Sequence, residues 1–312
     1  MKRKILIMAL AAFIAGGAAF AQDLGIGAGL DLGVGNLAPK DGAKITDDAF
    51  GRPRFSYENS DLVEGLELYA ELGVPLAYKA EEFLLGLDLT LYGKFNLELT
   101  PGGTFFVALE SSTDFDFTKE GLSAVFPGNR GGLFRHVNYG GRRVADGGII
   151  GTGLGFGLGY THDLDTLVIF VKTNTAFFLG GNGENALKAF DDLYVDFSTG
   201  IELPLDALTF GFSAGLKMNM LAGGEMNSDN LLKEVTATPS VKLASIPLYM
   251  EVAVGIPLVK DGLKSEGMSI TPEFQYDIMD NFNVYLNVPI QGVAAEGDKM
   301  QFGVGLGTTF KF

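Results

Sequence analysis

Ionisable side chains recur at every second position along much of this chain. Glu67 and Glu71, Asp88, Lys94 and Glu98, Glu110 and Asp114, Asp196, Lys217, Glu251 and Glu273 sit in runs whose intervening positions are mostly apolar. Period two is the side-chain alternation of an extended strand, so each run puts its charges on one face and its aliphatic and aromatic residues on the other. The charged parity carries Asp31, Glu67, Glu71, Asp88, Glu98, Glu110, Asp114, Asp116, Asp196, Glu202, Glu251, Glu273 and Asp277 against Lys94, Lys172, Lys217, Lys242 and Lys311, thirteen acids to five bases. If that face lines a pore, its acidic side chains favour cations. The competing reading pairs the acids with the lysines inside a filled interior, since an interior of this kind is polar either way.

Other chemistry is sparse. There is no cysteine, so neither a disulfide nor a thiolate metal site is available. Only two histidines occur. His162 stands beside Asp163 and Asp165, where a turn role is expected, and His136 has no paired serine pattern around it. Asp47-Asp48 and Asp191-Asp192 match no calcium-loop spacing. The glycines of Gly151–Gly159 alternate as in a strand and lack the strand–turn–helix setting of a dinucleotide loop. No cofactor, no metal and no enzymatic activity is implied. One segment differs from the rest. Residues 119–148 show no period, and Lys119, Arg130, Arg135, Arg142 and Arg143 outnumber Glu120 and Asp146. A loop that long in a compact domain is usually functional or disordered. It is expected either to fold inward against wall carboxylates such as Glu110 and Asp114 as a constriction, or to meet anionic lipopolysaccharide outside.

The elements that must position these groups are strands. Alternation predicts them at 24–34, 51–58, 66–76, 83–99, 105–117, 150–160, 167–179, 193–203, 208–220, 235–245, 248–258, 268–278, 282–290 and 300–312. Strand 51–58, with Arg52, Arg54, Ser56 and Glu58 on one parity, has the weakest pattern and enters to keep the total even; twelve strands is the competing count. In the other thirteen, the second parity carries no Asp, Glu, Lys or Arg. Such a face suits lipid, where a charge at mid-depth costs about 2–4 kcal/mol. Connections alternate between short ones, such as 279–281, 246–247 and 100–104, and long ones, such as 291–299, 221–234 and 119–148, as in barrels with short periplasmic turns and long outer loops. Pro239 within 235–245 predicts a bulge or a strand boundary. The prolines of Val74-Pro75-Leu76, Ile256-Pro257-Leu258 and Val288-Pro289-Ile290 are expected to end their strands at the rim. With no Trp, the interfacial girdle falls to Phe83, Phe95, Phe105, Phe117, Tyr160, Phe177 and Phe282. Mean hydropathy is +0.22, yet no segment beyond the N-terminus reaches about 18 uninterrupted apolar residues, so spanning helices are not expected. The fold class is all-β, a transmembrane antiparallel up-and-down barrel.

The two ends fit this reading. Lys2, Arg3 and Lys4 precede the apolar run Ile5–Ala15, and Ala19-Phe20-Ala21 obeys the small-x-small cleavage rule. Residues 1–21 are expected to be a secretory signal peptide and 22–312 the barrel domain. Cleavage takes three basic residues and no acidic one, moving the formal charge from −15 to −18, which disfavours nucleic acid as a partner. At the other end, Phe302, Val304, Leu306, Phe310 and Phe312 alternate up to a terminal phenylalanine, with Thr308 as a polar departure. In this the chain resembles bacterial outer-membrane β-barrel proteins, whose last strand carries such a pattern. The resemblance implies that Phe310 and Phe312 are read by the outer-membrane assembly machinery, that the protein reaches the outer membrane through the periplasm, and that its lipid and lipopolysaccharide are its surroundings. It implies a porin-like diffusion channel for small polar or cationic solutes, monomeric or homo-oligomeric. An adhesin or envelope-integrity barrel is the first alternative. A hydrophobic-solute transporter of the long-chain fatty acid type, also fourteen-stranded, is the second; strand 1 begins so near the cleavage site that no room is left for the plug domain usual in that type.

Overall fold

The computed structural model describes residues 25–34, 37, 49–60, 62–79, 82–117, 150–181, 190–191, 193–227, 231–243, 245–259, 262–263, 267–292 and 300–312. The expected signal peptide and the arginines of segment 119–148 lie outside the described residues.

Hydrophobic alternation has produced fourteen strands among the described residues, each antiparallel to its neighbours. They are β1 (Ile26–Val34), β2 (Ala49–Asn59), β3 (Leu66–Gly73, resumed at Leu76–Lys79), β4 (Glu82–Thr100), β5 (Gly103–Asp116), β6 (Ile150–Asp163) and β7 (Val168–Gly181). The second half holds β8 (Leu193–Leu205), β9 (Leu208–Ala222), β10 (Glu225–Met226 and Leu232–Leu243), β11 (Leu248–Val259), β12 (Gly262–Leu263 and Ser269–Met279), β13 (Phe282–Asn287 and Ile290–Gln291) and β14 (Gln301–Phe302 and Val304–Lys311). Each strand pairs with the next in sequence, and β14 pairs back onto β1 from Gly27↔Lys311 to Val34↔Val304. The sheet is therefore a closed up-and-down barrel with no free edge. Among the described residues, no helix is long and apolar enough to cross a membrane.

The terminal strand does what its alternation predicts. Phe310 faces Phe282 across the ladder to β13, and its ring meets Phe312 edge-on at 4.9 Å. The backbone N–H of Phe312 donates to Ile26 O at 2.9 Å, so the last residue is tied to the first strand. Large apolar side chains on the outward parity are exposed, among them Leu32, Leu72, Leu89, Leu91, Phe156, Phe197, Phe212, Phe274 and Leu306. Of the expected girdle, Phe95 and Phe117 are exposed and Phe105 pairs with Tyr160 across β5 and β6. The weakest predicted strand, 51–58, is fully formed as β2, because β1 and β3 pair with it on both sides.

Four proline expectations are corrected. Pro239 makes no bulge: the ladder to β9 runs through Phe212↔Pro239 unshifted, and the ladder to β11 skips Thr238 and Pro239 and resumes in the same register. The irregularity falls instead at Lys217/Met218. Pro75 and Pro289 do not end their strands, which resume at Leu76 and Ile290, and Pro257 lies inside β11. The physical reason is that proline loses only its N–H. Its carbonyl still accepts, from Gly86 N at 3.0 Å for Pro75 and from Gly303 N at 2.9 Å for Pro289. His162 belongs to the end of β6, opposite Gly103, and accepts or donates at Nδ1 with Tyr160 OH at 2.9 Å. Asp163 caps the following turn through the N–H of Asp165 at 2.8 Å.

Candidate functional site: the inner wall of the barrel

All eleven of the alternating ionisable residues from which the sequence reading began stand on the inward parity, and burial divides them into two groups. On one side, made by β12–β14 and β1–β6, the inward side chains are packed. On the other, β7–β11, most are half-buried or exposed.

The packed side is built around two arginines from β2. Arg52 Nε donates to Asp88 Oδ2 at 2.7 Å, Nη1 to Asp31 Oδ2 at 3.2 Å, and Nη2 to both Glu71 and Asp88. Arg54 Nε donates to Asp31 Oδ1 at 3.2 Å and Nη1 to Glu71 Oε2 at 3.4 Å. Its Nη2 reaches the Thr308 carbonyl at 3.2 Å and Thr309 Oγ1 at 2.5 Å. Two phenols complete the carboxylate shells, Tyr69 OH on Glu71 and Tyr285 OH on Asp31 at 2.7 Å. Six strands, β14, β1, β2, β3, β4 and β13, contribute to one network. Side chains from strands that far apart meet only on the concave face, which fixes this parity as the interior.

The network is dry. Arg52 and Asp88 are each 2 % exposed. Phe50, Ala77 and Leu84 pack as one apolar cluster, and Tyr69, Tyr92 and Ala108, with Phe106 against them, form a second. Toward the long-loop end of β2–β4 the first cluster covers the charges, and toward the other end the second does. Charges held this way interact strongly but pay for desolvation, and they persist only when each is paired and hydrogen-bonded. Glycines make the room. A Cβ at Gly73 would come within 2.7 Å of Arg52 Cζ, one at Gly29 within 2.7 Å of Arg54 Cζ, and one at Gly307 would collide with the Tyr285 ring. The same device recurs at Gly159 under Phe106 and Gly200 under Phe170, where aromatic rings cover bare backbone.

Glu110, Asp114 and Asp116 of β5 are also buried. Glu110 faces Gly155 and Asp114 faces Gly151 across β6, and Asp114 is directly opposite Asp88 on β4. Glu273 of β12 is buried and lies opposite Glu251. Nearer the short-turn end, Lys94 donates to Glu67 at 3.0 Å, Asn96 joins at 2.6 Å, and the ammonium lies 5.4 Å from the Phe106 ring centroid. Glu98 is exposed there, and Lys311 pairs with Glu58 at 2.7 Å.

On the open side, Lys217 of β9 donates to Glu234 of β10 at 2.6 Å, with the side chains 38 % and 23 % exposed. Asp196 of β8 is the register partner of Lys217 on the other side. Tyr249 OH donates to Glu251 Oε2 at 2.6 Å. Lys172 and Glu202 are exposed, and Ser198, Ser213, Thr236 and Ser240 are half-buried.

The chief omission of the sequence reading is thus the pair Arg52 and Arg54, together with Tyr69, Tyr285 and Thr309. Their signal was present as two arginines at i, i+2 on one strand face. The charge tally left out the strand that carries them. Including it adds two bases and Glu58 to the interior, so the inner wall is acidic overall but neutralised in large part on its packed side.

No family model and no curated protein matches the chain. Among solved structures it is similar to the Pseudomonas putida toluene transporter TodX, at 13% identity over 97% of this chain and 94% of that one, TM-score 0.48. It is similar to Pseudomonas putida OprB at 10% identity, 96% of each chain and TM-score 0.46, and to the KdgM porin at 9% identity, 92% of this chain, 99% of that one and TM-score 0.41.

Proposed function

We propose that the protein is an outer-membrane channel that passes small polar solutes and prefers cations. The observation that supports this most is the half-exposed charged wall of β7–β11 inside a closed barrel whose outward face is apolar. A barrel filled with apolar side chains would carry no water past such a wall. This one presents Asp196, Lys217, Glu234 and Glu251 to the interior without fully burying them. The arginine network occupies the opposite wall and is internally paired, so its charges contribute little to the field a passing ion feels. What remains on the open wall and at the short-turn end is acidic in balance, through Glu98, Asp196, Glu202, Glu234, Glu251 and Asp277 against Lys172, Lys217 and Lys242, and that sign favours cations. On this reading Phe310 and Phe312 address the chain to the assembly machinery, and lipopolysaccharide surrounds its outer rim.

Refolded protein in planar bilayers under a potassium chloride gradient tests it. Stepwise conductance with a reversal potential on the cation side is expected. A correctly folded barrel that never conducts overturns the channel and favours the adhesin or envelope alternative.

A further inference from the structure

The outward row of β6 is aliphatic, aromatic or hydroxyl-bearing from Ile150 to Tyr160, and it ends on His162 at the short-turn end. An ionisable group on the face a barrel turns to lipid asks for a polar partner there. The imidazole is held in place. His162 Nδ1 lies 2.9 Å from Tyr160 OH, and the two rings stack with centroids 5.9 Å apart. A third polar group is brought in by a bulge. The register between β4 and β5 shifts between Glu98 and Thr100, so that Thr100 stands opposite Gly103, which in turn stands opposite His162. Bulges at barrel rims re-aim side chains, and this one turns Thr100 to the outward side. Gly103 makes room for the meeting. A Cβ there would collide with Thr100 Oγ1 and Tyr160 OH and lie 3.1 Å from His162 Nδ1. Three polar side chains therefore close over one bare stretch of outward backbone. Leu99, Leu164 and Ile169 are exposed beside them.

We propose that Thr100 and His162, the latter oriented by Tyr160, bind the phosphate of a zwitterionic membrane phospholipid at the short-turn rim. When the phenol donates to Nδ1, the imidazole carries its N–H on Nε2. That N–H and the Thr100 hydroxyl are two donors, and phosphodiester oxygens are acceptors only. The exposed leucines and Ile169 offer acyl chains an apolar surface beside the polar group, which a free phosphate would not use. The turn that follows His162 carries Asp163 and Asp165, both exposed. Two carboxylates on the same rim disfavour a headgroup of net negative charge and favour one whose phosphate is balanced by an ammonium. The site stands on the outward face and is independent of conduction through the barrel.

Native mass spectrometry of the folded barrel tests it, after equilibration in detergent with equal amounts of phosphatidylethanolamine, phosphatidylcholine and phosphatidylglycerol of matched acyl chains. One retained lipid is expected, with both zwitterionic headgroups favoured over phosphatidylglycerol. Thr100→Val and His162→Ala are each expected to cut that adduct about fivefold, the worth of one net hydrogen bond. Tyr160→Phe releases the imidazole and is expected to lower the adduct by a smaller factor. Asp165→Asn is expected to raise phosphatidylglycerol relative to the other two, and asparagine tolerates the φ of 66° at that position. Ser111→Ala removes an outward hydroxyl farther along β5 and is expected to change no adduct. Thr100 is exposed and His162 half-buried at a strand end, so unchanged heat-modifiable gel migration serves as the folding check. Equal retention of all three headgroups by the wild type, or an adduct that survives Thr100→Val and His162→Ala combined, overturns the site. Displacement of the adduct by excess inorganic phosphate overturns the lipid as its occupant.

Discussion

The two sides of the inner wall use the same residue types in opposite ways. On β1–β4 an arginine bonds three carboxylates and is almost fully removed from water. On β9 and β10 a lysine bonds one carboxylate and both keep a share of their surface. The first arrangement holds strands together and the second leaves charges available to whatever enters. The choice of base follows the same division. A guanidinium offers five donors in a rigid fork and suits a buried hub, whereas an ammonium on a flexible stem can leave its partner. The hub also bridges the seam: Arg54 reaches Thr308 and Thr309 on the last strand, and Tyr285 reaches Asp31 on the first. The contacts that fill the packed wall are therefore those that fasten the closure of the barrel.

Mutations separate the two sides, most strongly at the hub. Arg52→Ala leaves Asp31, Glu71 and Asp88 with one arginine between them. A loss of about 3–5 kcal/mol is expected, the cost of stranding buried charges, read as a fall in the urea midpoint of the barrel in detergent. Tyr285→Phe removes a hydrogen bond to a buried carboxylate and should cost about 1.5–3 kcal/mol by the same measurement. Gly73→Ala forces a methyl group against the Arg52 guanidinium and should cost about 1–3 kcal/mol, with the effect shrinking in an Arg52→Ala background because the colliding group is gone. On the open side, Lys217→Met and Glu234→Gln should each change stability by less than about 1 kcal/mol while shifting the reversal potential in opposite directions. A urea midpoint that falls as far for Lys217→Met as for Arg52→Ala would erase the distinction between the walls.

Much of the fold was legible because lipid on one side and water or polar side chains on the other impose strict alternation. That constraint gave the parity of every strand, from Leu32 and Asp31 in β1 to Leu306 and Gly307 in β14, and it gave the closing role of the last strand. Proline positions were less legible. Alternation reports where side chains point and not whether a carbonyl still accepts, so Pro75, Pro239 and Pro289 looked like ends or bulges and are gaps of one donor. The hub was the least legible. Asp31, Glu71, Asp88, Arg52, Arg54 and Tyr285 come from five strands, and which inward residues meet depends on register between strands. Period-two pattern leaves register free along the barrel axis. Whether an inward acid is buried, as Asp88 is, or half-exposed, as Asp196 is, depends on those neighbours too.

The central claim, that water and solutes follow β7–β11 and are kept from the packed wall, is tested most directly by chemical access. The chain has no native cysteine, so single replacements report cleanly. Ser112 on β5 is 1 % exposed, whereas Ser213 on β9 and Ser240 on β10 are half-buried on the open wall. Each is changed to cysteine, and the folded barrel in vesicles is treated with a charged, membrane-impermeant methanethiosulfonate. Labelling of Ser213→Cys and Ser240→Cys is expected in the folded state, and of Ser112→Cys only after denaturation. Equal labelling of all three, or labelling of Ser112→Cys alone, would contradict it.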